Sequence, residues 1–536
     1  MIRDRMVEGI EAGWKVLDAS TLTADRTIEA DVVIVGTGAG GGVAAEILGK
    51  AGLRVLMVEE GPLKTSRDFK MREADAYPQL YQESAARKTR DKAINILQGR
   101  CVGGSTTVNW TSSFRTPPAT LRYWGRNIGL ADLNAEAMAP WFAMAERRLG
   151  IQNWDTRPNE NNDLLRRGGE KLNIPVAAIR RNVKGCWNLG YCGTGCPTNA
   201  KQSMLVTTIP AALAGGASLI HHLRAERLVF AADRAAALEC TAMEAAGIRP
   251  QPHRVRVEAK HFVLAAGAIG SPALLLRSRA PDPHNLLGRR TFLHPTAVCA
   301  AIMDHRVDGH AGAPQSIYSD HFLDSVAIDG PMGFKLEAPP LHPVLFSTTL
   351  QGFGTAHAEL MREFTRAHVL LALLRDGFHA DSPGGMVRLR GDGTPELDYP
   401  ITDFVWEGVR RSWLTMAEIQ FAAGAKTVMP VHEQATGYAS WAAARAGIAA
   451  LPLSPNIARV VSAHVMGGCG MGGDERSGVT DSFGRHRQLA NVTVCDGSLF
   501  PTSIGANPQL SIYGLAARNA SRLAEALSGK PAAALA

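Results

Sequence analysis

No run of apolar residues approaches the ~18 that a membrane-spanning helix needs, so no helical span is expected. The opening residues, MIRDRMVEGIEAGWKVLDAS, lack the apolar centre of a secretion signal. Cysteine is sparse, with 8 in 536 residues. Cys101, Cys240, Cys299, Cys469 and Cys495 are scattered, and only Cys186, Cys192 and Cys196 cluster. That usage fits a reducing cytoplasm, the expected compartment, with membrane association left open. Long runs of like charge are missing too. There are 57 basic and 50 acidic residues, a net charge of +7, and the basic ones are spread along the chain. No nucleic-acid partner is expected from that scatter. A mildly basic surface suits peripheral contact with an anionic membrane or an acidic partner, and it also serves plain solubility. No internal repeat with a period of about 20–50 residues is present.

What is there begins with length. A chain of 536 residues exceeds what one compact core serves, so two or more domains are expected. Apolar residues at 46% and charged residues at 20% are ordinary for a globular protein. The organising stretch is 31–60, DVVIVGTGAGGGVAAEILGKAGLRVLMVEE. Val32, Val33, Ile34 and Val35 suit a strand buried on both faces. Gly36, Gly38 and Gly41 follow in the spacing G-x-G-x-x-G. They allow a tight turn, the approach of a pyrophosphate to the backbone, and close packing of helix on strand. Val43, Ala44, Ile47, Leu48 and Ala51 form a helical stripe, and residues 53–58 read as a second strand. Glu59 and Glu60 then stand where a ribose hydroxyl is held. That order predicts a dinucleotide site, and by itself does not separate FAD from a nicotinamide cofactor.

Residues 98–110, QGRCVGGSTTVNW, offer N–H groups and hydroxyls at close quarters. They suit the lining of a flat polar ligand or a glycine turn before a strand, and no helix interior is expected there. Residues 117–150 are helical in pattern, and 219–230 with 254–257 alternate like antiparallel strands. Residues 262–278, FVLAAGAIGSPALLLRS, predict a strand ending at Gly267 and a helix starting near Ser271 and Pro272. Within 291–455, residues 344–350 and 386–389 read as strands. Residues 357–374 read as one helix, whose apolar end at 369–374 suits the core, a lid or a membrane-touching face. Residues 491–494 read as a strand and 509–527 as a helix opened by Pro508.

Five motifs in order resemble the glucose–methanol–choline (GMC) family of FAD-dependent oxidoreductases. They are Gly36 to Gly41 with Glu59, Gly103 to Asn109, Gly267 to Pro272, His464 to Met471, and Asp496 to Pro508 with the helix after it. The likeness covers most of the chain. It is nearest to sterol- and long-chain-alcohol-oxidising members, through HVMGGC and DGSLFPTSIGANPQLSIYGLAARN. The resemblance implies that Gly36, Gly38 and Gly41 hold the FAD pyrophosphate and that Glu59, rather than Glu60, binds the adenosine ribose. It implies that Gly104, Ser105 and Asn109 line the flavin, that Ala225 meets adenine through its backbone, and that Asp496 and Gly497 meet the ribityl–phosphate region. Pro508 would open a helix whose positive end favours the electron-rich reduced flavin. The fold class expected is α/β. A Rossmann-like FAD-binding domain is drawn from 31–116, 200–290 and 456–528. An inserted α+β substrate domain, drawn from 117–199 and 291–455, contains a mainly antiparallel sheet. Residues 1–30 read as an N-terminal extension and 529–536 as a frayed tail.

Oxidising an alcohol removes a hydroxyl proton and a hydride from one carbon. A histidine titrates near neutrality, with an ordinary pKa of ~6.5, and a second polar group must hold the developing alkoxide. His464, in a glycine-rich loop, is the expected base and Asn507 its partner. His294 falls where the family often carries histidine and reads as structural. The expected substrate is an apolar long-chain or sterol-like alcohol, and the electron acceptor is oxygen, a quinone or a redox protein. The trio Cys186-x5-Cys192-x3-Cys196 lacks a fourth ligand for tetrahedral zinc, and no metal ligand is assigned. It resembles both the iron–sulfur spacing of GMC sugar dehydrogenases and cluster-free alcohol-oxidising relatives, and three reduced cysteines in a tight glycine loop are the plainer account. Three alternatives therefore stay open: a sugar dehydrogenase with an iron–sulfur cluster, an FAD-bearing lyase or decarboxylase of the same fold, and a nicotinamide dehydrogenase.

Overall fold

The computed structural model describes residues 2–531 and residue 535. The first sheet contains β1 (Val16–Asp18), β2 (Arg26–Val35), β3 (Val55–Val58), β4 (Ser218–His221), β5 (Leu223–Ala231), β6 (Arg234–Met243) and β7 (Pro250–Leu264). Their order is β1-β4-β3-β2-β7-β6-β5. Strands β1 to β4 and β7 run parallel, while β6 and β5 return antiparallel on the first half of β7. Val492–Val494 joins the last three residues of β7. Val32–Val35 and all of β3 are buried, as parallel strands covered on both faces must be.

Helix α1 (Ala39–Lys50) follows β2, and helix α2 (Gly267–Arg277) follows β7. Because β2 and β7 are neighbours, with Val35 opposite Leu264, their two strand-to-helix turns lie side by side. A Cβ on Gly36, whose φ is +96°, would meet the Ala265 carbonyl oxygen at 2.4 Å, so the turns touch through bare backbone. Helix α2 starts four residues before the expected Ser271. The chain turns at Gly267 (φ +81°), and Pro272 sits inside the helix, where it costs one backbone bond. Residues 1–30 are not a free extension, because β1 is the edge strand of this sheet.

The second sheet is built on β8 (Thr296–Ile302), β9 (Phe334–Glu337) and β10 (Ala367–Leu374), in the order β8-β10-β9, all antiparallel. Val460–Ser462 and Ile94–Ile96 extend it beyond β8. Those two short strands come from stretches expected in the nucleotide domain. Side chains alternate. Ala297, Cys299 and Ala301, with Leu370, Ala372 and Leu374, belong to the core beneath helix Asp403–Ala422. The other face presents Thr296, Val298 and Ala300 beside Leu373, Leu371 and Val369. Helices α3 (Pro343–Thr349) and α4 (Gly354–Arg362) cover part of that face with Phe346, Leu360 and Met361.

Two expectations fail in this layer. Residues 344–349 of the expected strand 344–350 lie in α3 instead. Pro343 opens the helix, and the hydroxyls of Thr348 and Thr349 bond back to the carbonyls of Val344 and Leu345. The expected helix over 357–374 ends at Arg362, and 369–374 belongs to the buried central strand β10. An apolar run of that length reads alike in either state, and its pairing with β8 and β9 decides it. A smaller departure is Ser105–Val108, which makes one helical turn where none was expected. Helix α5 (Gln509–Ser528) returns to the first sheet and packs on α1 and on Ala135–Arg148, a helix expected in the other domain. It ends at Gly529 (φ +69°), and half of the expected frayed tail lies outside the described residues. Among the described residues no helix is long and apolar enough to cross a membrane.

Candidate active site

A single cavity of about 1020 Å³ runs from the Gly36 turn, between the two sheets, to α3. It is at the upper end of the ~300–1,000 Å³ usual for small-molecule sites. Three helix N-termini open onto it, those of α1, α2 and α5, and none carries a side-chain cap. Their first-turn N–H groups and positive dipole ends thus converge on one space. Gly36 and Gly38 line this end, while Gly41 lies beneath it. A Cβ at Gly41 would meet the Gly36 carbonyl oxygen at 2.0 Å, so its absence serves helix packing. Gly104 closes the wall opposite, where a Cβ would come within 2.8 Å of Gly38 Cα.

Glu59 and Glu60 both reach the wall, as does Ala225. The Glu59 carboxylate accepts from the Thr37 N–H at 3.1 Å, the Thr37 hydroxyl at 2.6 Å and the Gly61 N–H at 3.0 Å. Burial raises its pKa against these bonds. Glu60 is held at 3.5 Å by Arg100. Ser105 and Asn109 line the middle. Ser105 Oγ accepts from the Gly99 N–H at 2.9 Å, and the Asn109 amide donates to Gln509 Oε1 at 2.7 Å. Asp496 and Gly497 follow on the same wall. Buried Asp496 ties the last strand to α2, accepting from the Gly267 N–H at 2.8 Å and from the hydroxyls of Ser271 and Ser498 at 2.5 Å each.

His464, Asn507 and Pro508 line the seam where this polar end meets an apolar channel. The channel wall is the alternate face of β8 and β10, closed by Leu341, Phe346 and Leu350. His464 Nδ1 lies 3.2 Å from His294 Nδ1, and His294 Nε2 accepts the Gly505 N–H at 3.0 Å. The network assigns the protons. A backbone N–H needs a lone pair on His294 Nε2, so neutral His294 carries its proton on Nδ1 and donates it to His464 Nδ1. Neutral His464 then carries its own proton on Nε2. A base needs a lone pair, so in this chain of bonds the expected base is a donor. Burial, reinforced by the Lys335 charge, lowers His464 to about 4 and keeps it neutral. His294 is therefore more than a structural histidine. Its backbone is left-handed (φ +46°), and the Asp376 carboxylate pins it by accepting the N–H groups of Leu293 and His294.

Asn507 is buried, and its amide donates to Glu337 Oε2 at 3.3 Å. Glu337 is fully buried on β9 and is also bonded by Gln315. Burial pushes its carboxyl up to about 7, against the lowering effect of Lys335 and these bonds. Glu337 Oε1 and Asn507 Oδ1 are both buried without a partner in the fold. Glu337 had no sequence motif. The only trace was two charges, Lys335 and Glu337, spaced by two in the otherwise apolar strand FKLE. Lys335 is buried as well, bonded to Asp320 at 2.7 Å and lying 3.5 Å from the Phe114 ring centroid. The three clustered cysteines stand apart from this cavity's wall and have separate partners. Cys186 Sγ accepts from the Asn188 N–H, Cys192 Sγ from Arg181, and Cys196 Sγ meets the Thr198 hydroxyl.

Comparison with known proteins agrees with this architecture. Two GMC oxidoreductase family models match, over residues 77–296 and 381–516. These stretches contain Gly104, Gly267, His464 and Asn507. A long-chain-alcohol oxidase of Arabidopsis thaliana is 27% identical across 98% of this chain and 70% of its own length. Among solved structures, pyridoxine 4-oxidase from Mesorbium loti superposes with a TM-score of 0.64 at 18% identity, over 92% of this chain and 98% of that one. A formate oxidase gives 0.66 at 15% identity, over 94% and 99%. These two share the fold. An uncharacterized GMC-type oxidoreductase of Mycobacterium tuberculosis is 31% identical across 94% of this chain and 76% of its own. With the two matched stretches, that relative makes the conclusion plain: this chain belongs to the GMC oxidoreductase family.

Proposed function

We propose that this protein binds FAD in the cavity and oxidises an apolar alcohol to an aldehyde or ketone. The observation that carries the reading is the seam itself, where His464 and Asn507 stand between a glycine-lined polar end and an apolar channel. Three uncapped helix N-termini fit a diphosphate and an electron-rich ring, and Gly104 can approach Gly38 this closely only because it lacks a Cβ. Gly36, Gly38 and Gly104 would hold the cofactor's middle, Glu59 and Ala225 its adenosine half, and Asp496, Gly497 and Pro508 the region nearest the ring. When bound, FAD supplies the acceptor for the hydride that leaves the alcohol's carbon.

The chain's own residues handle the oxygen and its proton. His464 Nε2–H and the Asn507 amide donate hydrogen bonds to the substrate oxygen, and aimed donors of this kind are worth ~3 kcal/mol each at a transition state. The proton passes on to Glu337 through an intervening water, because Glu337 bonds Asn507 from behind and does not itself line the cavity; burial pushes its carboxyl up to about 7. Thr296, Val298, Ala300 and the facing β10 side chains take the substrate's apolar part and exclude water. The alcohol oxidases among its relatives support oxygen as the electron acceptor. Anaerobic mixing with primary alcohols of increasing chain length tests the proposal. The flavin absorbance should bleach, faster with longer chains, and return on admitting air. Purified protein without a yellow chromophore, or a flavin no alcohol bleaches, would end it.

A further inference from the structure

A second cluster lies at the edge of the first sheet, where β1 pairs with β4 and Asp18 stands opposite His221. Asp18 Oδ1 is 2.8 Å from His222 Nδ1 and 3.8 Å from His221 Nδ1, and the two Nδ1 atoms are 3.2 Å apart. Among the described residues this is the only set of three His, Cys, Asp or Glu ligand atoms all within 4.8 Å of one another. Both imidazoles are buried, while the Asp18 side chain is about one-third exposed.

Protons alone satisfy this arrangement poorly. One proton on His222 Nδ1 serves the carboxylate at 2.8 Å. His221 Nδ1 then faces a nitrogen whose proton is already given away, and the carboxylate at 3.8 Å is too far to pair with it. A cation accepts all three lone pairs at once. Zinc with ligands at ~2.0–2.1 Å sets neighbouring donor atoms of a tetrahedron about 3.3 Å apart, and the three spacings here bracket that value. The backbone adds a second observation. His222 is left-handed (φ +53°), a conformation that costs a non-glycine residue of order 1 kcal/mol and turns its ring toward Asp18.

We propose that Asp18, His221 and His222 form a site for a divalent transition metal, zinc by its donor set, with water in the fourth position on the exposed side. The ion clamps β1 to β4. It also steadies the segment that carries Glu59, because the His222 N–H donates to the Gly61 carbonyl and the Leu223 N–H to that of Glu59. The site is independent of the alcohol chemistry.

The test uses the full chain with its flavin, dialysed against chelator and titrated with zinc by calorimetry and with cobalt(II) by absorption. One equivalent of zinc should bind with micromolar or tighter affinity and raise the unfolding temperature. Cobalt should show the visible bands of a tetrahedral nitrogen–oxygen site without a sulfur-to-metal charge-transfer band. Asp18→Asn combined with His221→Gln should weaken binding at least ~100-fold, and His253→Gln should leave it unchanged. Absence of saturable zinc binding below about 100 μM would overturn the proposal. So would binding undiminished in the double variant, or a sulfur–cobalt band, which would place the ion on the cysteine trio. If the double variant does not fold, the cobalt spectrum of the unaltered chain decides.

Discussion

Replacing Glu337 with glutamine should move stability and activity in opposite directions. The carboxyl is fully buried, and burial raises it from the ordinary 4.5 to about 7. Between those values the folded chain keeps a proton that the unfolded chain has lost, so stability falls as pH rises through that window. Above pH 7 the loss is complete. At 1.36 kcal/mol per pH unit, a rise from 4.5 to about 7 is worth about 3 kcal/mol. Glutamine keeps the length and, with its oxygen in the place of Oε2, accepts both amide bonds without the charge. Glu337→Gln should therefore unfold at a higher temperature than the parent at pH 8 and at nearly the same temperature at pH 4.5. Activity should go the other way. If Glu337 takes the substrate proton, kcat/KM rises with pH up to about 7 and then levels, because only the ionised form accepts. The glutamine variant should lose that limb and roughly 10²–10⁴-fold in rate. A histidine base at His464 would instead place the limb near 4, and Glu337→Gln would retain it. A parent limb near 4, or a variant within a few-fold of the parent at pH 8, refutes the assignment.

The His294–His464 bond gives a paired prediction. His294→Leu removes the donor to His464 Nδ1 and should slow flavin reduction by roughly 10²-fold, whereas His294→Asn tolerates the left-handed backbone, can still donate, and should lose about tenfold or less. Equal losses in stopped-flow reduction would contradict the proton assignment. Gly104→Ala, which sets a Cβ 2.8 Å from Gly38 Cα at φ +53°, should yield colourless protein with FAD occupancy down at least ~10-fold by absorbance. Ala300→Phe should lower kcat/KM for long-chain alcohols by about tenfold or more and leave short ones within ~3-fold, because Ala300 lines the channel. Parallel losses on both substrates would mean the channel is not where the chain lies.

The site was legible in sequence wherever its chemistry is local. Gly36 and Gly38 announce close backbone approach through their spacing, and the family resemblance singled out Gly104, His464 and Asn507. Segments whose state is set by partners were not legible. Residues 369–374 are apolar in every position, so helix and strand bury them equally well until β8 and β9 supply hydrogen bonds on both sides. Residues 344–349 carry β-branched side chains yet form α3: Pro343 suits the first helical position, and the hydroxyls of Thr348 and Thr349 find carbonyl partners within the helix.

Motif order, through its resemblance to a family, was enough to name the α/β oxidoreductase frame and to single out His464 and Asn507, which the fold brings to one seam. Only the folded chain decided which nitrogen of His464 bears a proton, because that depends on Gly505 and His294, 41 positions after it and 170 before it in the chain. The same holds for Glu337 beside Asn507, and for Asp18 meeting His221 and His222 across 203 positions. A pattern along one strand or helix is written in neighbouring residues. Protonation, pKa and metal geometry are written in distances between residues that only tertiary packing brings together.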